Sequence, residues 1–136
     1  YIVYMLNITK KIEYGLIAMR HINQYGKKNL YSSNEIANKY HLPKEIFAKT
    51  MQLLSKKKYI CSVKGPNGGY FLNKSLNQIK LIQFIEDIEG PIGIVKCNVD
   101  DNCHLIDFCN IKDPLMKINL NIRKALNNIS LNEITN

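Results

Sequence analysis

The residues best suited to chemistry are three cysteines, each separated from the next by five residues: Cys97, Cys103 and Cys109. The segment around them has neither a helical nor a strand period, which predicts a loop. Thiolates bind soft metals, and the corners of an iron-sulfur cluster lie too far apart for one Cys-x-x-Cys knuckle. Structural zinc sites usually contain that short knuckle, which this sequence lacks. Spacing therefore favours an iron-sulfur cluster (4Fe-4S or 2Fe-2S) and leaves zinc, or unliganded or redox-paired thiols, as alternatives.

The charge balance predicts an anionic partner. The chain has 136 residues with a formal net charge of +8, so we expect nucleic acid first and an acidic membrane surface second. No apolar run approaches the roughly 20 residues that a membrane helix needs. The first residues also lack the basic flank and cleavage site of a secretory signal. We expect a cytoplasmic protein that does not enter a membrane.

Two helices in the first half have the spacing of a helix-turn-helix. An earlier helix, Thr9 to Ile22, is predicted from apolar residues at helical spacing, with Thr9 as its cap. The Ser-x-x-Glu pattern that begins at Ser32 predicts a helix start, with the helix running from Ser33 to about Lys39. Pro43 suits the first position of a third helix that reaches about Lys57. A three- or four-residue connection between the last two is typical of the helix-turn-helix.

A β-hairpin wing is predicted to follow. Tyr59–Val63 alternates and is rich in β-formers, Lys64–Gly69 is rich in turn residues, and Tyr70–Leu72 is strand-like again. The free face of the third helix can enter a major groove, where Lys favours guanine, Gln adenine and Glu cytosine, while wing amides and an ammonium approach phosphates. The alternative is a solvated helix face and a solvent hairpin. The predicted DNA-binding residues are Ser33, Lys44, Glu45, Lys49, Gln52, Lys64, Gly65, Asn67 and Gly68.

The second half predicts two more helices around the cysteine loop. One runs from about Lys80 to Glu89 and is ended by Gly90-Pro91. Asp113-Pro114 predicts the start of a long last helix, with Asp as cap and Pro at the first position. Its single apolar stripe predicts pairing with the same helix of a second chain, and folding back on its own domain is the alternative. A second Ser-x-x-Glu pattern at Ser130 predicts a short terminal helix. The stripe consists of Leu115, Ile118, Ile122, Leu126 and Ile129.

These elements predict a mainly α fold with a small β-hairpin, a winged helix-turn-helix plus a long C-terminal dimerisation helix. We divide the chain into a DNA-binding domain at residues 1–90, a cysteine cluster-binding loop at 91–112, and a dimerisation helix with its tail at 113–136. No nucleophile elbow, paired helical carboxylates or phosphate-binding loop occurs in the sequence, so we do not expect an enzyme.

The segments Ile8–Leu16 and Val63–Tyr70, the helix-turn-helix and the three-cysteine loop together resemble the iron-sulfur winged-helix transcription regulators of the IscR and NsrR type. The likeness covers nearly the whole chain. It implies a homodimeric regulator, a repressor, that binds double-stranded promoter DNA. Its affinity would be set by a cluster that senses nitric oxide, redox state or iron and cluster status. An iron-sulfur electron-transfer module and a zinc-stabilised winged-helix repressor remain as alternatives.

The resemblance also implies the metal ligands. Cys97, Cys103 and Cys109 match the three cysteine ligands of the family. The histidine ligand of IscR-like members would fall at Lys112, which has no free lone pair when protonated, so that pattern fails here. The acidic ligand of NsrR-like members, which comes from the first helix of the other subunit, matches Glu13. Glu13 is therefore the expected fourth ligand, and the alternatives are Asp107, His104 and an ordinary exposed role for Glu13.

Overall fold

A computed structural model describes residues 8–26, 29–92 and 110–135. These residues form a two-stranded hairpin and six α-helices, and a 3₁₀ turn at Leu76–Gln78 precedes α4. This confirms the mainly α class with a small hairpin. The elements are α1 (Lys10–Tyr25), α2 (Ser33–Tyr40), α3 (Lys44–Lys56), β1 (Ile60–Val63), β2 (Gly69–Leu72), α4 (Leu81–Glu89), α5 (Lys112–Asn127) and α6 (Leu131–Thr135).

The chain divides into two compact units. The first contains residues 9–79 together with 130–135, and the second contains 80–92 and 110–129. The division into functional domains at residues 90 and 112 stays a prediction. The three cysteines of the loop, Cys97, Cys103 and Cys109, lie outside the described residues.

Local side-chain chemistry sets the starts of α1 and α2. The hydroxyl of Thr9 accepts a hydrogen bond from the Ile12 amide at 3.4 Å. Ser32 and Glu35 form a reciprocal capping box, in which each side chain accepts from the other residue's amide at 3.1 Å. Both caps are confirmed predictions. The first helix continues three residues past its predicted end to Tyr25. The polar residues Asn23 and Gln24 are compatible with a helix, and burial of His21 and Ile22 stabilises the last turns.

Helix α3 differs from the prediction at its start and ends in a Schellman motif. Pro43 is the capping residue rather than the first helical one, because its ψ of 119° is extended. At the other end Lys58 has a left-handed φ of 67°. The amide of Tyr59 donates to the Leu54 carbonyl at 3.0 Å and that of Lys58 donates to Ser55 at 3.0 Å. This motif turns the chain directly into β1.

The core of the first unit is apolar and draws on every helix within it. Leu131, from the short terminal helix, is fully buried, and its amide donates to the Ile79 carbonyl at 2.9 Å. The terminal Ser-x-x-Glu prediction is confirmed, since the Ser130 amide donates to Glu133 at 2.7 Å. The side chains without any exposure include Ile12, Met19, Ile36, Phe47, Met51 and Leu54.

In the second unit α4 packs against α5. Helix α5 begins at Lys112 with Ile111 as its cap, so the prediction that Asp113 caps it and Pro114 opens it is wrong by two residues. The Leu115 amide donates to the Ile111 carbonyl at 3.0 Å, which closes the first turn two residues earlier than predicted. Pro114 is tolerated there because the first-turn amides of a helix have no intrahelical acceptor.

Packing on α4 leaves part of the predicted apolar stripe of α5 uncovered. Asn119 is only 8% exposed, whereas Ile118 is 49% and Leu120 is 51% exposed. Met116 is 40% exposed as well. The single chain therefore presents apolar side chains of α5 to solvent.

Candidate nucleic-acid interface

A groove of about 610 Å³ lies between the start of α2, the middle of α3 and the wing. It brings together five of the predicted DNA-binding residues: Ser33, Gln52, Lys64, Gly65 and Gly68. Nine other residues line it, and Asn34, Ala48, Ser62 and Tyr70 are among those that sequence reasoning missed. Each of these lies within a predicted element, but the sequence alone does not indicate which side of the element faces the wing.

The outer face of α3 carries the remaining helical candidates. Lys44, Glu45, Lys49 and Gln52 are all exposed. The opposite face buries Phe47, Thr50, Met51 and Leu54 in the core. Because helical residues three and four positions apart share a face, Glu45, Lys49 and Gln52 form one solvent-facing row. These side chains are available to base edges.

The wing is held in place by the segment before α2. β1 and β2 pair antiparallel, with Cys61 opposite Phe71. The Tyr70 amide donates to the Tyr31 carbonyl at 2.9 Å, so Tyr31 forms a bridge beside β2. The wing is therefore pinned to the helix-turn-helix through backbone hydrogen bonds.

Glycines permit this close approach. Gly69 has φ 155°, and a Cβ atom there would lie 2.7 Å from the Tyr31 backbone. At the tip, Gly65 has φ 117°, and its carbonyl accepts from the Gly68 amide at 3.0 Å. Lys64 and Asn67 at the tip are exposed. The tip can thus bring backbone amides and an ammonium close to phosphates.

Ser33 is the first residue of α2 and has an unusual environment. Its hydroxyl oxygen is buried and has no hydrogen-bond partner among the described residues. The first-turn amides of a helix lack intrahelical acceptors and mark the positive end of the helix dipole. The α2 start, which contains the predicted DNA-binding residue Ser33, is therefore suited to a phosphate oxygen.

A buried histidine supports these elements from within. His21 is 2% exposed, and its Nδ1 lies 2.8 Å from the Tyr40 hydroxyl. Its ring centroid is 4.6 Å from that of Tyr31, the residue that holds the wing. Burial, helped by the nearby Lys39 ammonium, lowers the pKa of His21. His21 is neutral at pH 7 and joins α1, α2 and the wing support.

In the second unit, a bidentate ion pair joins α4 to α5. The guanidinium of Arg123 donates to the two carboxylate oxygens of Glu86 at 3.0 and 2.8 Å. The hydrogen bond from Arg123 lowers the pKa of Glu86, and the same bond raises the pKa of Arg123. Glu86 also accepts from the Ile92 amide at 3.1 Å, and Arg123 donates to the Ile92 carbonyl at 3.4 Å. The pair thus fixes the backbone at the point where the chain leaves α4.

Of the four predicted metal ligands, only Glu13 lies among the described residues. Its carboxylate is 44% exposed and pairs with Lys10, three residues earlier, at 2.9 Å. Exposed pairs of this kind stabilise a helix only slightly, so the carboxylate can exchange its partner. No group of three or more metal-binding side chains occurs within residues 8–26, 29–92 and 110–135. Cys61, in the wing, is half-buried and forms no disulfide within the part of the chain that the structure describes.

Within the part of the chain that the structure describes, none of the helices combines the length and the apolar character needed to cross a membrane.

These elements define the class of the protein: a helix-turn-helix followed by a pinned hairpin is a winged helix. Comparison with known proteins gives the family. Residues 8–136 match the model of the Rrf2 family, described as iron-dependent transcriptional regulators. The chain belongs to this family, which confirms the resemblance drawn from the motifs. It is a DNA-binding transcriptional regulator rather than an enzyme.

Solved structures of similar proteins agree with the fold. The global cysteine regulator CymR of B. subtilis is 23% identical, with a TM-score of 0.74 over 96% of this chain and 97% of that one. IscR of T. potens is 25% identical, with a TM-score of 0.70 over 95% and 85%. The oxidized form of Staphylococcus aureus CymR is 21% identical, with a TM-score of 0.71 over 96% of each chain.

Proposed function

We propose that the chain is a homodimeric repressor, acting in the cytoplasm, whose affinity for promoter DNA is set by an iron-sulfur cluster. The observation that carries the DNA-binding part is the groove between α2, α3 and the pinned wing, which gathers five predicted contacts on one surface. Lys44, Glu45, Lys49 and Gln52 read bases, and Ser33, Lys64, Gly65, Asn67 and Gly68 hold the phosphate backbone.

The dimer is proposed to form through α5. Its support is the set of apolar side chains that α5 leaves exposed in the single chain, with Ile118 and Leu120 each about half exposed. A two-fold pair would present two α3 helices to half-sites one helical turn of DNA, about 34 Å, or a multiple of it apart. Small changes in that spacing alter affinity, and a coupling of about 1 to 3 kcal/mol changes it roughly 5- to 150-fold.

Cys97, Cys103 and Cys109 are the proposed thiolate ligands, and Glu13 of the other subunit is the proposed fourth. The donor set fits an iron-sulfur cluster, since three thiolates suit its irons and, among the described residues, the Glu13 carboxylate pairs with an exposed lysine. The iron-dependent description of the family supports the same metal. When bound, such a cluster would supply one iron that is held by the weakly matched carboxylate oxygen of Glu13. Nitric oxide or oxygen could react at that iron. The proposed signal is nitric oxide, redox state or iron status.

Anaerobic purification followed by metal and sulfide analysis tests the cofactor. We expect a brown protein that contains iron and sulfide, and promoter affinity that changes when nitric oxide is added. A colourless protein with stoichiometric zinc would overturn the cluster and favour a zinc-stabilised repressor. A brown protein with no salt-dependent DNA binding would favour an electron-transfer module.

The fourth ligand is tested by Glu13→Gln. We expect a folded dimer whose cluster absorption decays faster in air. Glu45→Gln is the matched control, because it removes another exposed carboxylate from the first turn of a helix and should leave the cluster unchanged. Equal decay rates in wild type and Glu13→Gln would refute the assignment and direct attention to Asp107 and His104.

A further inference from the structure

Four lysines surround the junction between α3 and the wing: Lys56, Lys57, Lys58 and Lys74, here called the lysine cluster. All four are exposed. Among the described residues, no carboxylate lies within 4.0 Å of any of their ammonium groups, since the ion pairs there are Lys10–Glu13 and Glu86–Arg123. The lysine cluster is therefore a patch of unneutralised positive charge.

Lys58 and Lys74 lie at the same end of the hairpin. Ile60 pairs with Leu72, and the Asn73 amide donates to the Tyr59 carbonyl at 3.0 Å, so Lys58 precedes and Lys74 follows these paired residues. The side-chain amide of Asn73 donates to the Lys58 carbonyl at 2.9 Å, which fixes this end of the hairpin. The Lys74 ammonium lies 4.9 Å from the centre of the Tyr59 ring. The cluster is thus built on an ordered backbone rather than on a free loop.

The row of residues proposed to read bases leads into this cluster. Lys56 follows Gln52 by four residues and so continues the solvent-facing row formed by Glu45, Lys49 and Gln52. Helix α3 has 13 residues and is about 20 Å long, whereas the major groove is about 12 Å wide. A helix that lies in the groove by its middle therefore reaches beyond it, and its ends approach the phosphates on either side.

We infer that the lysine cluster is a second phosphate-binding surface, which holds the sugar-phosphate backbone of the same DNA duplex beside the segment that α3 reads. This inference rests on the proposed DNA-binding function and extends its footprint to residues outside the groove. The partner is a polyanion with regularly spaced charges, and the contact is independent of sequence. Each phosphate contact adds about 0.9 to the slope of log affinity against log salt concentration.

The test uses the full-length dimer and a mixed-sequence duplex of roughly 30 base pairs, long enough for two half-sites. Binding is measured by fluorescence anisotropy from about 50 to 200 mM salt. The variant carries Lys56→Gln, Lys58→Gln and Lys74→Gln. We expect the loss of two to three phosphate contacts to lower its salt slope by about 1.8 to 2.7, so that wild type weakens about 12- to 42-fold more over the fourfold salt increase.

A matched control removes three other exposed basic side chains, through Lys11→Gln, Arg20→Gln and Lys80→Gln, and has the same net charge. We expect it to retain the wild-type slope. A variant with arginine at positions 56, 58 and 74 should also retain it. Circular dichroism confirms that each variant is folded.

Two results would overturn the inference. An unchanged salt slope in the cluster variant would mean that the lysine cluster binds an acidic protein surface or nothing. An equal fall of the slope in the control would mean that net charge alone causes the effect. If wild type itself shows no salt-dependent binding, the proposed DNA-binding function fails instead.

Discussion

Replacing Arg123 by methionine removes the guanidinium that joins α5 to α4 while it keeps most of the apolar stem. Glu86 then loses both of its charged hydrogen bonds, which measure 3.0 and 2.8 Å, and keeps only the Ile92 amide. The Ile92 carbonyl loses its donor as well. The variant therefore leaves a half-buried carboxylate with one remaining hydrogen bond from the residues that the structure describes.

The expected loss of stability in Arg123→Met lies between the losses caused by breaking an exposed ion pair and by breaking a buried one. The side chains of Arg123 and Glu86 are 35% and 21% exposed. Exposed pairs are worth about 0.2–1 kcal/mol, and removal of one partner from a buried pair costs about 3–5 kcal/mol. We expect a loss of about 2 kcal/mol. At about 2.1 cal/mol/K per residue over 136 residues, this lowers Tm by about 7 °C.

A double-mutant cycle with Glu86→Gln, followed by urea unfolding, measures the pair itself. We expect a coupling free energy of at least about 1 kcal/mol between the two sites. Gln83→Ala is the control on the same helix, because it removes only the exposed hydrogen bond to Asp87 and should change stability by less than about 0.5 kcal/mol.

The pH dependence provides an independent check. The bond from Arg123 lowers the pKa of Glu86 in the folded chain, so its stabilisation is present above the ordinary glutamate pKa and is lost as pH falls through the folded value. The difference between wild type and Arg123→Met should be constant near pH 7 and shrink below about pH 4. A coupling near zero, or a difference that does not depend on pH, would refute the reasoning.

Three further predictions concern the first unit. Burial lowers the pKa of His21, so its protonation is unfavourable in the folded state and wild type should lose stability as pH falls below about 6.5. His21→Phe should remove this loss. Thermal melting that gives the same pH profile for both proteins would contradict the prediction. Gly69→Ala should lower the free energy of unfolding in urea by more than about 2 kcal/mol, because the added Cβ would lie 2.7 Å from the Tyr31 backbone. The control Gly65→Ala, whose Cβ would have nothing within 4 Å, should lower it by only about 1 kcal/mol. Similar losses in the two variants would argue against the contact with Tyr31. Lys58→Gly should stabilise the chain by about 0.5–1 kcal/mol by relieving a φ of 67°, and a lower Tm would show that the side chain outweighs the strain.

Features that depend on neighbours along the chain were predictable. The cap at Thr9, the capping box at Ser32 and Glu35 and the hairpin follow from residues at most a few positions apart. The exposed row on α3 followed from helical period alone. These are confirmed because the same local chemistry operates whatever packs behind it.

Contacts between distant residues could not be predicted. The Tyr31–Tyr70 bridge is a single backbone pair with no strand period around Tyr31. Glu86 and Arg123 are 37 residues apart, and a sequence does not show which charges meet. The predicted start of α5 is two residues late because Asp113-Pro114 is a strong local signal, yet the first turn closes on the Ile111 carbonyl. The metal site remains a prediction, because its cysteines lie outside the described residues.

The discontinuity of the first unit bears on how the protein is made. Leu131 is fully buried in that unit, and α6 packs on α1 and on the turn that ends at Gln78. During synthesis at about 5–20 residues per second, the ribosome must translate the entire second unit before this leucine emerges. The core of the winged-helix unit therefore stays incomplete until the second unit has been translated, so we expect an unfinished polypeptide to compete poorly for DNA.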